Sequence, residues 1–553
     1  MIKLCLFVPD ETTFEIADEE GMLLWLEFPM WLPNATPRLR ELALREYECI
    51  LQRIHHHPSV TVVSLGCELN AGIDAEFLGQ LYELVRRWMP NVLLCDNSGS
   101  AEAYGGVPTY LSDFYDFHFY AEPHYFPALI DHFTRASLPR KPWIYGEFCD
   151  ADTMRDFSVL PANTWWLYDP VPLERDELNW MREYRRRLSD AGVTDNGAEF
   201  THIARQQATS VRKHILEYVR SRNATGGYVV TGWMDTPIAT SGVVDDHLNL
   251  KFNPVEWQRF NNNRVLLLGR EHRRRWNGGD QPLRLDPYTF WDDSEAELHV
   301  RISNGGTDVT NAQLVWELRH EYKVISEDTL PVLLVKGGGT SEAASIAQHW
   351  LPNSSHWISQ YELRASLISS SAEGKDEITN RWALWTVPLR QQCMQVIEQS
   401  RIDHALTAEL LADVRRGETR VVWLRYPDAA PVRHAPFWRE SIHVFPHHSY
   451  WDSMGNPPYA DMRFYSVATE FALDPQLVVA LAGSDATYIP IWRRFDARAM
   501  TWTDYIAEVH FGRGRLLITT LRHAGGAGYQ PDTFATNPMG TWMLYALLQY
   551  ARH

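Results

Sequence analysis

From Ile2 to Asp235 the chain alternates short apolar runs with charged, leucine-bearing stretches, and this alternation restricts the fold more than any other feature. IKLCLFV (2–8), LLWLEF (23–28), the run VTVVSL before Glu68, VLLCD (92–96), DFYDFHFY (113–120), PWIYGEF (142–148) and GGYVVTGWMD (226–235) read as strands by length and by β-branched and aromatic content. Between them, amphipathic segments predict helices over 13–20, 37–55, 74–88, 125–135, 176–189 and 204–222, the second entered through Pro37. Strand, helix and strand repeated in this way require parallel strands joined by crossovers. The seven strands predict an α/β fold of the (β/α)8 barrel type over residues 1–275, without a first strand.

Near Pro282 the pattern changes to period two. EAELHVRISNGG (295–306), AQLVWELRH (312–320) and HWISQYELRASLIS (356–369) alternate with turn signals between them and predict a β-sandwich over 276–378. From NRWALWTVP onward an α/β pattern resumes over 379–553, with helices at 405–414 and 538–550 and strands at 420–426 and 514–521.

A chain of 553 residues with 45% hydrophobic content can bury several cores. Its net charge of −18 argues against a nucleic-acid backbone or an anionic membrane surface as partner. Six cysteines, Cys5, Cys49, Cys67, Cys95, Cys149 and Cys393, are sparse and have neither disulfide-framework nor zinc-cluster spacing, so no metal or cofactor is expected. No run reaches membrane-spanning length, and the N-terminus MIKLCLFVPDE lacks the pattern of a signal peptide. Aromatic residues reach 12%, with 22 tryptophans, enough to line a sugar site but equally at home in large cores.

The chemistry gathers at strand ends. Glu68 closes one strand and Glu147 another, at the C-terminal mouth where barrel enzymes keep their reactive groups. Hydrolysis of an acetal needs an acid on the leaving oxygen and a nucleophile or base on the opposite face. Two carboxylates meet that need: a separation of about 5 Å implies retention of anomeric configuration and about 6.5–9.5 Å implies inversion.

FEIADEEGMLLWLEFP (14–29), HPSVTVVSLGCE (57–68), KPWIYGEF (141–148) and GGYVVTGWMD (226–235), in that order and each at a strand end, resemble the catalytic barrel of glycoside hydrolase family 2, which includes β-galactosidases, β-mannosidases and β-glucuronidases. The C-terminal segment resembles a glutamine-amidotransferase outline, read as structural because no cysteine follows Cys393. The resemblance implies Glu68 as acid/base, Glu147 as nucleophile of a retaining double displacement, Tyr120 as hydrogen-bond donor to that nucleophile and Trp233 as floor of the sugar subsite. Asp96, Asn97, His118 and Asp235 are strand-end candidates for binding sugar hydroxyls, and Glu27 for orienting another side chain.

Two departures qualify the resemblance. Cys67 stands where the family has asparagine, and a thiol is a poor replacement for an amide at the sugar 2-hydroxyl unless Asn70 or His118 fills in. Matching IKLCLFV to the family places Met1 inside its second strand, which implies a truncated sequence or a separate chain supplying the missing strand; a homo-oligomer is the other partner expectation. The leading expectation is a β-galactosidase-like hydrolase of terminal, neutral β-linked sugars. A noncatalytic carbohydrate-binding or scaffold protein derived from such an enzyme is the alternative. Localisation is left open.

Overall fold

The computed structural model describes residues 1–70, 72–99, 111–126, 130, 141–156, 160, 184–193, 197–222, 226–237, 239–270, 274–275, 281–282, 286–350, 357–371, 374–435, 439–526 and 533–553. They fall into two compact units, the first formed by Met1–Tyr120, Asp131–Asp150 and Asn223–Thr231.

Among its described residues the first unit carries seven strands, β1 (Ile2–Leu4), β2 (Leu24–Glu27), β3 (Val60–Ser64), β4 (Leu93–Cys95), β5 (Tyr115–Phe119), β6 (Trp143–Phe148) and β7 (Tyr228–Val230). Every pairing is parallel, in a four-stranded sheet β1-β2-β3-β4 and a three-stranded sheet β5-β6-β7. Between β4 and β5 no ladder forms among the described residues, and the Asp113 amide donating to Leu94 carbonyl links the two sheets instead. The arrangement is a partly closed half-barrel of consecutive parallel strands, in keeping with the alternation of the sequence.

Helices α1 (Glu11–Glu19), α2 (Pro37–Ile54) and α3 (Ala75–Trp88) make the crossovers of the four-stranded sheet. Each begins where an N-cap side chain accepts a backbone N–H: Asp10 from Thr13, Thr36 from Leu39 and Asp74 from Phe77. Tyr47, Leu51 and Ile54 of α2 and Phe77, Leu78, Leu81 and Val85 of α3 recur at helical spacing and bury against Leu24, Leu26, Val60, Val63 and Leu94. The opposite side of the strands is polar at its centre. Lys3, Glu27, Asp116 and His118 point there, and the Trp25 indole donates to Ser64 Oγ at 2.8 Å.

The second unit holds the sandwich. One sheet runs Thr289–Trp291, Gly374–Val387, Ser359–Ser371, Val309–His320 and Lys323–Val335; the other runs Gly339–His349, Glu295–Asn304 and Arg264–Arg270. Leu298, Leu314, Leu363 and Leu384 fill the space between them. Arg264–Arg270, read from sequence as part of the barrel segment, pairs antiparallel with Glu295–Asn304, and NRWALWTV completes the last sandwich strand. Its period-two burial, with Trp382 and Leu384 inward, explains that placement.

Among the described residues the C-terminal sheet has seven strands but one parallel pairing, Thr419–Trp423 with Gly514–Thr519; its other pairings are antiparallel. This pattern lends no support to the glutamine-amidotransferase outline that the C-terminal segment resembles in sequence. Helix Gly197–Arg220 starts earlier than its expected 204 because Phe200 and Ile203 extend its buried stripe toward the N-terminus. Of the helix expected over 176–189, the described part is Tyr184–Asp190, and most of the one expected over 125–135 lies outside the described residues. Among the described residues, no helix is long and apolar enough to cross a membrane.

Gly146 in β6 gives the fold a direct test. Its N–H donates to Asp116 Oδ1 at 2.6 Å, and a Cβ there would lie 2.2 Å from the same oxygen. Gly146→Ala must therefore push the carboxylate off its partners, at a cost of about 1–3 kcal/mol. A thermal melt should show a lower midpoint for this variant, and an unchanged midpoint would contradict the packing described.

Candidate active site

Strand direction assembles the site in the first unit. Along β5 the two-residue period sends Asp116 and His118 to one face, with Tyr120 following in the same parity. From β6 comes Glu147; β1 and β2 supply Lys3 and Glu27. After β3 the chain turns sharply: Cys67 N–H donates to Met30 carbonyl and Glu68 N–H to Ser98 carbonyl at 2.7 Å, while Glu68 takes a φ of 48°. A non-glycine residue in this left-handed region is uncommon and marks a backbone held by its surroundings. Gly99 faces the same corner, where a Cβ would come within 2.8 Å of His118 Nδ1.

The two glutamates share a neighbour. His118 Nδ1 lies 3.0 Å from Glu68 Oε1 and 3.5 Å from Glu147 Oε2, so these oxygens are at most about 6.5 Å apart. Trp31 donates its indole N–H to Glu68 Oε2 at 2.9 Å, and the Tyr120 hydroxyl donates to Glu147 Oε2. The other imidazole nitrogen, Nε2, faces Ser98 Oγ at 3.0 Å and Asp116 Oδ2 at 3.5 Å. Ser98 Oγ in turn donates to Asp116 Oδ2 at 2.6 Å.

Beneath them Lys3 is an internal cation. Its Nζ stands 3.0 Å from Glu27 Oε1, 3.7 Å from Glu147 Oε1 and 3.9 Å from Asp116 Oδ2, and donates to Ser98 Oγ at 2.8 Å. Burial alone would lower its pKa, but Asp116, Glu27 and Glu147 reverse the effect and raise it. Burial likewise pushes Asp116 up, yet Lys3 and His118 hold it below the usual carboxylate value. Burial of the Tyr120 phenol, with Glu147 beside it, raises that group well above its ordinary value and keeps it a donor.

The structure thus brings together Glu27, Cys67, Glu68, His118, Tyr120 and Glu147. Cys67 Sγ is 4.0 Å from Glu147 Oε1, and Glu27 is fully buried in its ion pair. Asn97 is buried beside the Glu68 turn, its Oδ1 accepting the Leu69 N–H at 2.9 Å. Asn70 closes a local turn through Pro33 carbonyl and Gly72 N–H, and Asp96 is bonded to Ser112. Trp233 and Asp235 belong to the second unit, where Trp233 is exposed and Asp235 forms a buried pair with Lys251 at 2.7 Å.

Sequence reading passes over Lys3, Trp31, Ser98 and Asp116. Two of them carry a signal: Lys3 is a charge within an apolar strand, and Asp116 has the parity of His118 and Tyr120. Trp31 and Ser98 lie in loops, where no periodicity reports direction. His118, expected among the hydroxyl binders, contacts carboxylates with both ring nitrogens.

No family model and no curated protein matches the chain. Among solved structures it is similar to an exo-chitosanase of Amycolatopsis orientalis, with 13% identity, a TM-score of 0.44, and coverage of 69% of this chain and 44% of that one. The β-D-mannosidase of Dictyoglomus thermophilum gives 11% identity, a TM-score of 0.41 and coverages of 70% and 54%. The β-glucuronidase of Parabacteroides merdae gives 12%, 0.35, 94% and 58%. The chain spans about half the length of these structures.

Burial would lower the His118 pKa, but Glu147, Asp116 and Glu68 outweigh it and raise the value from 6.5 to about 9. Because the folded value exceeds the unfolded one, the stabilisation is complete below about pH 6.5 and is lost as pH rises through about 9. A shift of this size corresponds to about 3 kcal/mol, shared with the carboxylates that cause it. Urea unfolding of wild type and His118→Asn should differ most near pH 6 and converge by pH 10. A pH-independent difference would show that no charged imidazole is held there.

Proposed function

We propose that the protein is a retaining, exo-acting β-glycosidase in which Glu147 attacks the anomeric carbon and Glu68 moves the proton. One observation carries the reading: two carboxylates face a common imidazole nitrogen, their nearest oxygens at most about 6.5 Å apart, each with its own donor. That limit falls at the lower edge of the inverting range and includes the retaining separation of about 5–5.5 Å.

Each partner then has a task. Lys3 and Tyr120 orient the Glu147 carboxylate by an ammonium and an O–H donor, while Trp31 and His118 orient Glu68. Glu68 protonates the leaving oxygen as Glu147 forms the glycosyl ester. Esterification removes the Glu147 charge, and Glu68 then accepts a proton from the water that releases the sugar. Asn97, buried beside the Glu68 turn with its Nδ2 making no hydrogen bond among the described residues, holds that turn through Leu69 N–H.

A terminal neutral sugar fits better than a uronic acid. Arg155 is paired with Asp246, and Lys213 with Glu217 and Asn380, so these cations are committed elsewhere. Arg182 and the Arg185 side chain lie outside the described structure.

Nitrophenyl β-glycosides test the assignment. Glu147→Ala should abolish turnover, and azide should restore aglycone release with a glycosyl azide of inverted configuration as product. Normal activity in this variant would refute the nucleophile assignment, whereas a wild-type protein that binds glycosides without cleaving them would favour the noncatalytic alternative. Tyr120→Phe should lower kcat on the order of 100-fold by removing one preorganised donor. A kcat within about twofold of wild type would remove Tyr120 from the mechanism.

A further inference from the structure

Cys5, Glu27, Cys67 and Glu147 come from separate parts of the first unit, yet each places a sulfur or carboxylate oxygen within 4.8 Å of all the others. Cys5 Sγ lies 3.5 Å and Cys67 Sγ 4.0 Å from Glu147 Oε1. A tetrahedral zinc centre with Zn–S near ~2.3 Å and Zn–O near ~2.1 Å has ligand-to-ligand edges of ~3.4–3.8 Å. Both sulfur-to-oxygen edges are therefore within a few tenths of an ångström of those of such a tetrahedron, and the sulfur-to-sulfur edge lies within 4.8 Å. Glu27 offers a fourth donor, an oxygen within 4.8 Å of the other three ligand atoms. It is fully buried, and neither of its oxygens makes a hydrogen bond among the described residues, although Lys3 stands 3.0 Å from Oε1.

We propose that Cys5, Cys67 and Glu147, with Glu27 as fourth donor, form a binding site for a thiophilic divalent cation of the zinc type. Two sulfurs select against magnesium and calcium, which take all-oxygen shells, and favour zinc, cobalt or cadmium. Ligation forms two metal–sulfur bonds, and both thiol protons leave to solvent. One divalent ion thus replaces two protons, so the charge of the pocket is unchanged and Lys3 meets no added repulsion. With Lys3 Nζ 3.7 Å from Glu147 Oε1, the ion lies on the thiol side of that oxygen. Cys5 is exposed and provides the entry path. Occupancy makes Glu147 a ligand and withdraws it from attack, so the ion acts as a reversible inhibitor; this consequence rests on the proposed function, whereas binding itself does not.

The test uses the full chain, metal-stripped and reduced with a phosphine. Titration with cobalt(II) or cadmium(II) should give a thiolate-to-metal charge-transfer band saturating at one equivalent per chain and displaced by zinc. Cys5→Ser or Cys67→Ser should each weaken binding by at least about tenfold, and the double variant should lose the band. Cys49→Ser, an exposed thiol on α2, should bind as wild type. No thiolate band, a band that survives the double variant, or a band that requires Cys49 would overturn the site. In parallel, zinc should suppress nitrophenyl glycoside hydrolysis and a chelator restore it. Cation binding that leaves hydrolysis untouched would overturn Glu147 as a ligand, while binding by a chain that hydrolyses nothing would sustain the site and refute the glycosidase reading.

Discussion

The Lys3 ammonium, buried among Glu27, Asp116 and Glu147, is the interaction on which the rest of the first unit depends. An isolated charge in this position would cost several kcal/mol, and so would each carboxylate without it. Together they are compatible with burial because the cation meets three anions and Ser98 and Gly146 take up its remaining donors. Replacing a pair like this by apolar groups is often neutral for stability, so its presence points to position and charge as what the arrangement secures. It joins β1, β2, β5 and β6 at one point and leaves Glu147 at the top of the stack.

From that foundation the geometry propagates upward. Asp116 is pinned by Gly146 N–H and Ser98, and presents its oxygen to His118; His118 presents its other nitrogen to Glu68 and Glu147. The position of the two carboxylates is thus set by groups on neighbouring strands and does not rest on loop conformation alone. The left-handed Glu68 and the absence of a side chain at Gly99 fit the same pattern, in which the backbone yields to the placement of these side chains.

Much of the fold is legible in the sequence because hydrophobic period reports burial directly. The seven strands, the first three crossover helices and three of the sandwich strands follow from it, and N-caps such as Asp10 and Thr36 sharpen the helix starts. What period cannot report is pairing partner and direction. The C-terminal sheet, with strands of ordinary α/β appearance, pairs almost wholly antiparallel, and Arg264–Arg270 joins the sandwich. At the site, Glu68 and Glu147 are legible as strand-end carboxylates, whereas Tyr120 enters only through the family resemblance. Lys3 was not singled out, since a lysine in an apolar strand reveals its purpose only when three acids from other strands are seen around it. The meeting of Cys5 with Cys67 is invisible to any rule of spacing for the same reason: tertiary closure, not sequence separation, makes the cluster.

The central claim is that Glu147 and Glu68 form a nucleophile and acid/base pair over this buried charge network. Its most direct test is peptide mass mapping after incubation with activated 2-deoxy-2-fluoro β-glycosides, which slow release of a covalent intermediate. The expected result is one glycosyl adduct per chain, carried by the peptide that contains Glu147. An adduct on Glu68 or elsewhere, or hydrolysis of the parent glycosides with no adduct from any of these reagents and a product of inverted configuration, would contradict it.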